Sequence, residues 1–193
     1  GNYNVVVGDE AGTAITTGDS NVAVGYLAGT AVTTGEKNSL IGEKAGDALT
    51  TGSSNVAVGR TALSTDTLGS CSVAIGRNAL IVQNFTTATD SFNTAVGDRA
   101  GAAVTTGVKN VLIGGLAGDA ITTGTNNIAI GYAALSTEDA HGSNVAIGRQ
   151  ALENQNAGAE AYNVAIGSLA GNDITTGVEN TLIGGLAGDA LTS

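Results

Sequence analysis

The order of apolar and polar residues repeats along the whole chain. Segments such as Asn21-Val22-Ala23-Val24-Gly25 and Asn144-Val145-Ala146-Ile147-Gly148 open units that start at Asn4, Asn21, Asn38, Asn55, Ser72, Asn93, Asn110, Asn127, Asn144, Asn163 and Asn180. The spacing is 17 residues, except for 21 after Ser72 and 19 after Asn144. Counting the Asn as position 1, position 5 is Gly in every unit, position 8 is Ala, and position 4 is β-branched from Val7 to Ile183. Apolar β-branched residues two apart, bounded by Gly, predict a short strand in each unit. A second short strand is predicted through segments such as Ala14 to Thr17 and Ala120 to Thr123, with the glycines at the corners.

A unit this small cannot bury its own apolar side and must stack on copies of itself. The expected fold is therefore all-β, a parallel β-solenoid (β-roll) of eleven coils spanning residues 1–193 as one repeat region. Parallel pairing at about 4.8 Å per coil gives a rod roughly 50 Å long. Positions 2, 4, 8 and 12 are expected to face inward, so Ile113→Asp is expected to bury an unpaired charge and be severely destabilising. Position 3 then faces outward as an apolar ladder: Val6, Ala23, Leu40, Ala57, Ala74, Ala95, Leu112, Ala129, Ala146, Ala165 and Leu182. Such a ladder suggests a seam buried against another chain, and hence a homo-oligomer.

Two coil types alternate. Most carry Ala-Gly at positions 8 and 9 and an apolar residue at position 12, as in Ala45-Gly46 with Leu49. Four carry Ala-Leu instead, at Leu63, Leu80, Leu135 and Leu152, and lose the apolar residue at position 12, so one side chain is expected to replace the other in the same core volume. With Leu40, Leu112 and Leu182, these coils define a four-coil super-repeat.

Composition narrows the function. The 193 residues carry a formal net charge of −10, which lacks the clustered Lys and Arg of a nucleic-acid footprint. No apolar run is long enough for a membrane span, so membrane insertion is not expected. Aromatic residues are only 3%, so Ala, Val, Ile and Leu must fill a thin core. There is no Met, and the end coils lack polar caps, as expected of an excerpt from a longer fibre or of a subunit stacking on its own copy.

The segments Ser72-Val73-Ala74-Ile75-Gly76, Asn144 to Gly148 and Asn163 to Gly167 resemble the head repeats of trimeric autotransporter adhesins. The longer 17-residue pattern, with Ala-Gly and Thr-Thr-Gly, also looks like repeat regions of phage tail fibres and bacterial surface proteins. The resemblance implies a left-handed parallel β-roll, association as a homotrimer, and display on a bacterial surface or a virion tail fibre.

Residues with chemical potential are few. His141, the only imidazole, stands in Glu138-Asp139-Ala140-His141-Gly142 and is expected to be a solvated loop residue. Cys71 is expected to be a free, semi-exposed thiol. Asp47, Asp119 and Asp189 recur in Ala-Gly-Asp-Ala, but the denser pattern of calcium-binding solenoids is missing. The position-1 Asn column is expected to hydrogen-bond along the rod. The Thr pairs, such as Thr16-Thr17 and Thr122-Thr123, would form ladders like those of ice-binding solenoids, with one Thr of each pair pointing inward. Longer loops at 82–92 and 153–162 carry Phe85, Phe92 and Tyr162 and are the first place to look for a receptor contact.

No catalytic, cofactor-binding or metal-binding residue is assigned, and no cofactor is implied. The expected function is a non-enzymatic structural or adhesive fibre segment, extracellular, on a cell surface or on a virion. Its partners would be copies of itself and a cell-surface receptor or glycan. The alternatives are a self-assembling head-to-tail filament subunit and an ice-binding β-solenoid.

Overall fold

A computed structural model describes residues 1–193. Its strands, in chain order, are β1 (Val5–Val7), β2 (Val22–Val24), β3 (Ser39–Ile41), β4 (Val56–Val58), β5 (Gly69–Ser70), β6 (Val73–Ile75), β7 (Thr89–Asp90), β8 (Thr94–Val96), β9 (Val111–Ile113), β10 (Ile128–Ile130), β11 (Val145–Ile147), β12 (Val164–Ile166) and β13 (Thr181–Ile183). Eleven of them form one parallel sheet in the order β1-β2-β3-β4-β6-β8-β9-β10-β11-β12-β13, and β5 pairs with β7 in a small second sheet. The register is that of the repeat: Val5 opposes Val22, Val6 opposes Ala23 and Val7 opposes Val24, and so on along the rod. The chain is a β-solenoid, as its periodicity requires.

The second strand of each coil does not form in general. Ala14 to Thr17 and Ala120 to Thr123 are turns and bends, and the one other strand pairing, β5 with β7, lies beyond those positions of the unit. Successive coils are still tied there by single backbone bonds, such as Thr16 N–H to Thr33 C=O at 3.0 Å and Thr105 N–H to Thr122 C=O at 2.9 Å.

The orientation of the long sheet reverses the expectation from the sequence. Position 3 faces inward: Ala57, Ala74, Ala95, Leu40 and Leu112 are wholly buried. Positions 2 and 4 face outward, and Val24, Val58, Val111 and Ile130 are only partly covered, while Ile41, Ile75, Ile113 and Ile166 are exposed. The core is therefore built from positions 3, 8 and 12, together with the Leu at position 9, in one run of 25 buried apolar side chains from Val32 to Ile174. An outward position-3 seam does not exist, and Ile113→Asp would not bury a charge in the isolated chain. Ser39, Thr94 and Thr181 at position 2 were the signal for this, since no coil places a polar residue at position 3.

The inward face explains the four-coil super-repeat. The two δ-methyls of Leu112 straddle Gly101 of the preceding coil and Gly118 of its own coil, each lying 2.7 Å from where a Cβ would stand. Leu40 sits over Gly29 and Gly46 in the same way. A Leu at position 3 thus needs Gly at position 9 in two consecutive coils. Where position 9 is Leu, position 3 is Ala, as in Ala57 with Leu63 and Ala129 with Leu135. Leu63, Leu80, Leu135 and Leu152 adopt φ between 49° and 52° and are fully buried, so core packing offsets the strain of a left-handed backbone.

Gly at position 5 has a different cause. At Gly114, φ is 130° and an added Cβ would lie 2.5 Å from the carbonyl oxygen of Gly131 in the next coil. Any side chain there would push the coils apart.

Candidate functional surface

The largest chemically uniform feature is the outer face of the eleven-stranded sheet. Two columns run its length. Position 2 supplies Val5, Val22, Val56, Val73, Val111, Ile128, Val145 and Val164, and position 4 supplies Val7 through Ile183 without a polar interruption. Parallel in-register pairing stacks equivalent positions, so position 4 is a continuous row of branched methyl groups and position 2 is a similar row interrupted by Ser39, Thr94 and Thr181. A sheet face of this kind is normally covered.

Charged residues are set beside this face and not on it. At position 6 the guanidinium of Arg77 holds Asp98 of the next coil through two bonds of 2.7 and 2.9 Å, and Arg60 Nε lies 3.4 Å from Glu43. The hydrogen bonds from Arg77 hold the Asp98 carboxyl below the usual range. These pairs are exposed and add little stability.

The position-1 column is structural. In each interior Asn the side-chain carbonyl accepts the backbone N–H of the next coil's position 1, as from Asn127 N–H to Asn110 Oδ1 at 3.0 Å. Except at Asn144, whose Nδ2 donates to Asn127 Oδ1 at 3.3 Å, the side-chain amide donates to the carbonyl at position 15 of its own coil, as from Asn110 Nδ2 to Gly124 C=O at 2.9 Å. The column is buried from Asn21 to Asn163 and is closed to ligands.

The remaining candidates are dispersed. Neither Thr of a pair is buried. Thr16, Thr33, Thr50, Thr105, Thr122 and Thr175 spend their hydroxyls on the carbonyl of the next coil, and Thr17, Thr34, Thr51, Thr106, Thr123 and Thr176 are exposed. The inward Thr expected from the sequence is absent because the turn presents both side chains to the outside. Cys71 is a partly exposed free thiol, 3.8 Å from Asp90 Oδ1, and burial with the nearby Asp90 charge pushes its pKa up. Asp47 and Asp119 are half-buried and burial raises the pKa of each carboxyl, with Arg99 at 3.8 Å partly offsetting this at Asp119. They do not converge with other ligand-type groups. In the longer loops Phe85 is buried, whereas Phe92 and Tyr162 are more than half exposed. Phe85 therefore anchors its loop, and only Phe92 and Tyr162 are free to meet a partner.

Sequence reasoning missed a set of buried polar residues at position 12 of the Ala-Leu coils: Asp66, Gln83, Glu138 and Gln155, all with no exposed surface. Asp66 is fully engaged. Its Oδ2 accepts Gln83 Nε2 at 2.7 Å, and its Oδ1 accepts the N–H groups of Gly69 at 3.0 Å and Phe85 at 3.2 Å. Gln83 also donates to Ser72 Oγ and accepts from Asn93 Nδ2. The recurrence of an acid followed by Gln one coil later was the available signal. His141 likewise is no solvated loop residue: its Nδ1 is buried, 3.3 Å from Glu138 Oε1.

The surface holds no ligand-sized pocket, and no helix is long and apolar enough to cross a membrane. The fold and this face define a parallel β-solenoid with one uncovered apolar side. Comparison with protein-family models, with curated proteins and with solved structures gives no match.

Proposed function

We propose that this chain is a stiff, non-enzymatic segment of an extracellular, cell-surface or virion fibre, and that it associates with copies of itself through the outer face of the long sheet. The observation that carries the proposal is the unbroken position-4 column of Val and Ile beside the mostly Val column at position 2. The seam first read at position 3 moves to these two columns. The fibre role is also supported by the resemblance of Ser72 to Gly76, and of its relatives, to adhesin head repeats.

The occupant of the face is a second and a third copy. Eleven strands at about 4.8 Å, each three residues wide at about 3.3 Å per residue, give a face of roughly 500 Å². That is less than the roughly 800 Å² per partner of a standard two-chain interface. A closed three-chain arrangement brings flanking corners into contact as well, and buries the columns on every copy. Adhesive contacts then fall to the surface that remains outside, including Phe92 and Tyr162.

Light scattering across a concentration series, with negative-stain images of the same samples, tests this. A constant mass of three chains is expected. A single-chain mass at all concentrations would overturn the self-association, and mass growing with concentration into fibres would replace it with end-to-end assembly.

A further inference from the structure

The two super-repeats treat the buried acid at position 12 differently. In the first, Gln83 of the next coil caps Asp66 Oδ2 at 2.7 Å. In the second, the Gln155 amide is turned instead toward Asn144 Oδ1, at 3.4 Å, and Asn163 Nδ2 donates to Gln155 Oε1 at 3.0 Å. Glu138 Oε1 accepts the His141 backbone N–H at 3.0 Å, but Glu138 Oε2 is buried with no hydrogen-bond partner. His141 Nδ1 is also buried without one. An orphaned carboxylate oxygen in a wholly buried side chain is costly, so something must meet it.

The local sequence supplies candidates for a shared occupant. Most coils read an apolar residue, Thr, Thr and Gly at positions 12 to 15, as in Ile121-Thr122-Thr123-Gly124. This coil reads Glu138-Asp139-Ala140-His141, so ligand-type side chains replace the usual residues at positions 12, 13 and 15. One ligand atom from each of Glu138, Asp139 and His141 lies within 4.8 Å of the others. The backbone beneath is fixed, since Thr122 Oγ1 donates to Asp139 C=O at 2.8 Å and Asn127 Nδ2 donates to His141 C=O at 3.1 Å. Asp139 is exposed, which leaves the solvent side open for entry.

We infer that Glu138, Asp139 and His141 form a binding site for a divalent transition-metal cation of the zinc type. One imidazole nitrogen and two carboxylates are a borderline donor set that suits zinc and its neighbours, whereas calcium and magnesium favour all-oxygen shells. The 3.3 Å between His141 Nδ1 and Glu138 Oε1 matches the ligand-to-ligand edge of about 3.3 Å in a tetrahedral site with bonds near 2.0 Å. Water completes the shell on the Asp139 side. The cation staples this corner of the coil, where the first super-repeat uses the Gln83 amide.

The test is titration of the full chain, free of any histidine tag, with zinc chloride alone by calorimetry, paralleled by NMR of the single imidazole. One zinc per chain, perturbed His141 ring signals, a raised melting temperature, and no such response to calcium are expected. His141→Gly restores the residue that most coils carry at position 15, so it should fold as well as the parent while binding weakens by about tenfold or more. Glu138→Gln should weaken binding similarly. No zinc binding, or binding that persists unchanged in His141→Gly, would overturn the site. An imidazole that merely gains a proton as pH falls, with no response to zinc, would assign the pair to a simple His–Glu contact and equally overturn it.

Discussion

Adjacent residues of one strand should respond in opposite ways to the same substitution. Leu112 has no exposed surface and its methyls fill the space above Gly101 and Gly118, whereas Ile113 beside it is 36% exposed. Removing the Leu112 side chain costs about 2–5 kcal/mol from lost burial and the cavity left behind. Leu112→Asp adds a carboxylate with no donor in an apolar core, a further several kcal/mol. The sum is comparable to the whole stability of a typical domain, about 5–15 kcal/mol. Ile113→Asp loses only the covered two-thirds of an Ile worth about 1.5–3 kcal/mol when fully buried, or about 1–2 kcal/mol, because the new carboxylate reaches water. Circular dichroism with urea melts reads the fold, and light scattering on the same samples reads the mass. Ile113→Asp should remain a folded solenoid and fall to single chains, while Leu112→Asp should lose the cooperative transition. Equal unfolding of both variants would refute the strand orientation. A folded Ile113→Asp chain that keeps its oligomeric mass would refute the seam.

Other outcomes follow from single sites. Asp47 is half-buried, its Oδ1 lacks a partner, and burial raises its pKa, so the ionised form is a cost in the folded state at neutral pH. That cost is fully present above the folded pKa and vanishes below the ordinary carboxylate value. Asp47→Asn should therefore melt higher than the parent at pH 7, with the difference closing as pH falls through the acid range. Asn110→Ala orphans Asn127 N–H and Gly124 C=O and should cost about 2–4 kcal/mol by urea denaturation. Gly118→Leu without a compensating change collides with Leu112 and Ile121 and should lower the melting temperature. Combined with Leu112→Ala and Ile121→Gln, which restores the Ala-Leu coil pattern, it should recover part of the loss.

The period of the chain by itself determined the class of fold, the number of coils, the parallel stacking and the in-register pairing. A unit of this size has no other way to remove its apolar side from water. The swap between Gly and Leu at position 9 was also legible, because volume in a thin core must be conserved from coil to coil. Which side of the strand faces inward was not. Strand alternation separates position 3 from positions 2 and 4, but all three are apolar in most coils, so hydrophobicity leaves the sign open. The tertiary structure decided it through shape: in the coils inside the rod only Ala or an occasional Leu stands between the Ala at position 8 and the Gly at position 9, with Val6 confined to the end coil, while β-branched side chains suit the open face. The same holds for Glu138 and His141. Their spacing in the chain is ordinary, and only the fold, by denying Glu138 the amide that Gln83 gives Asp66, makes them a site.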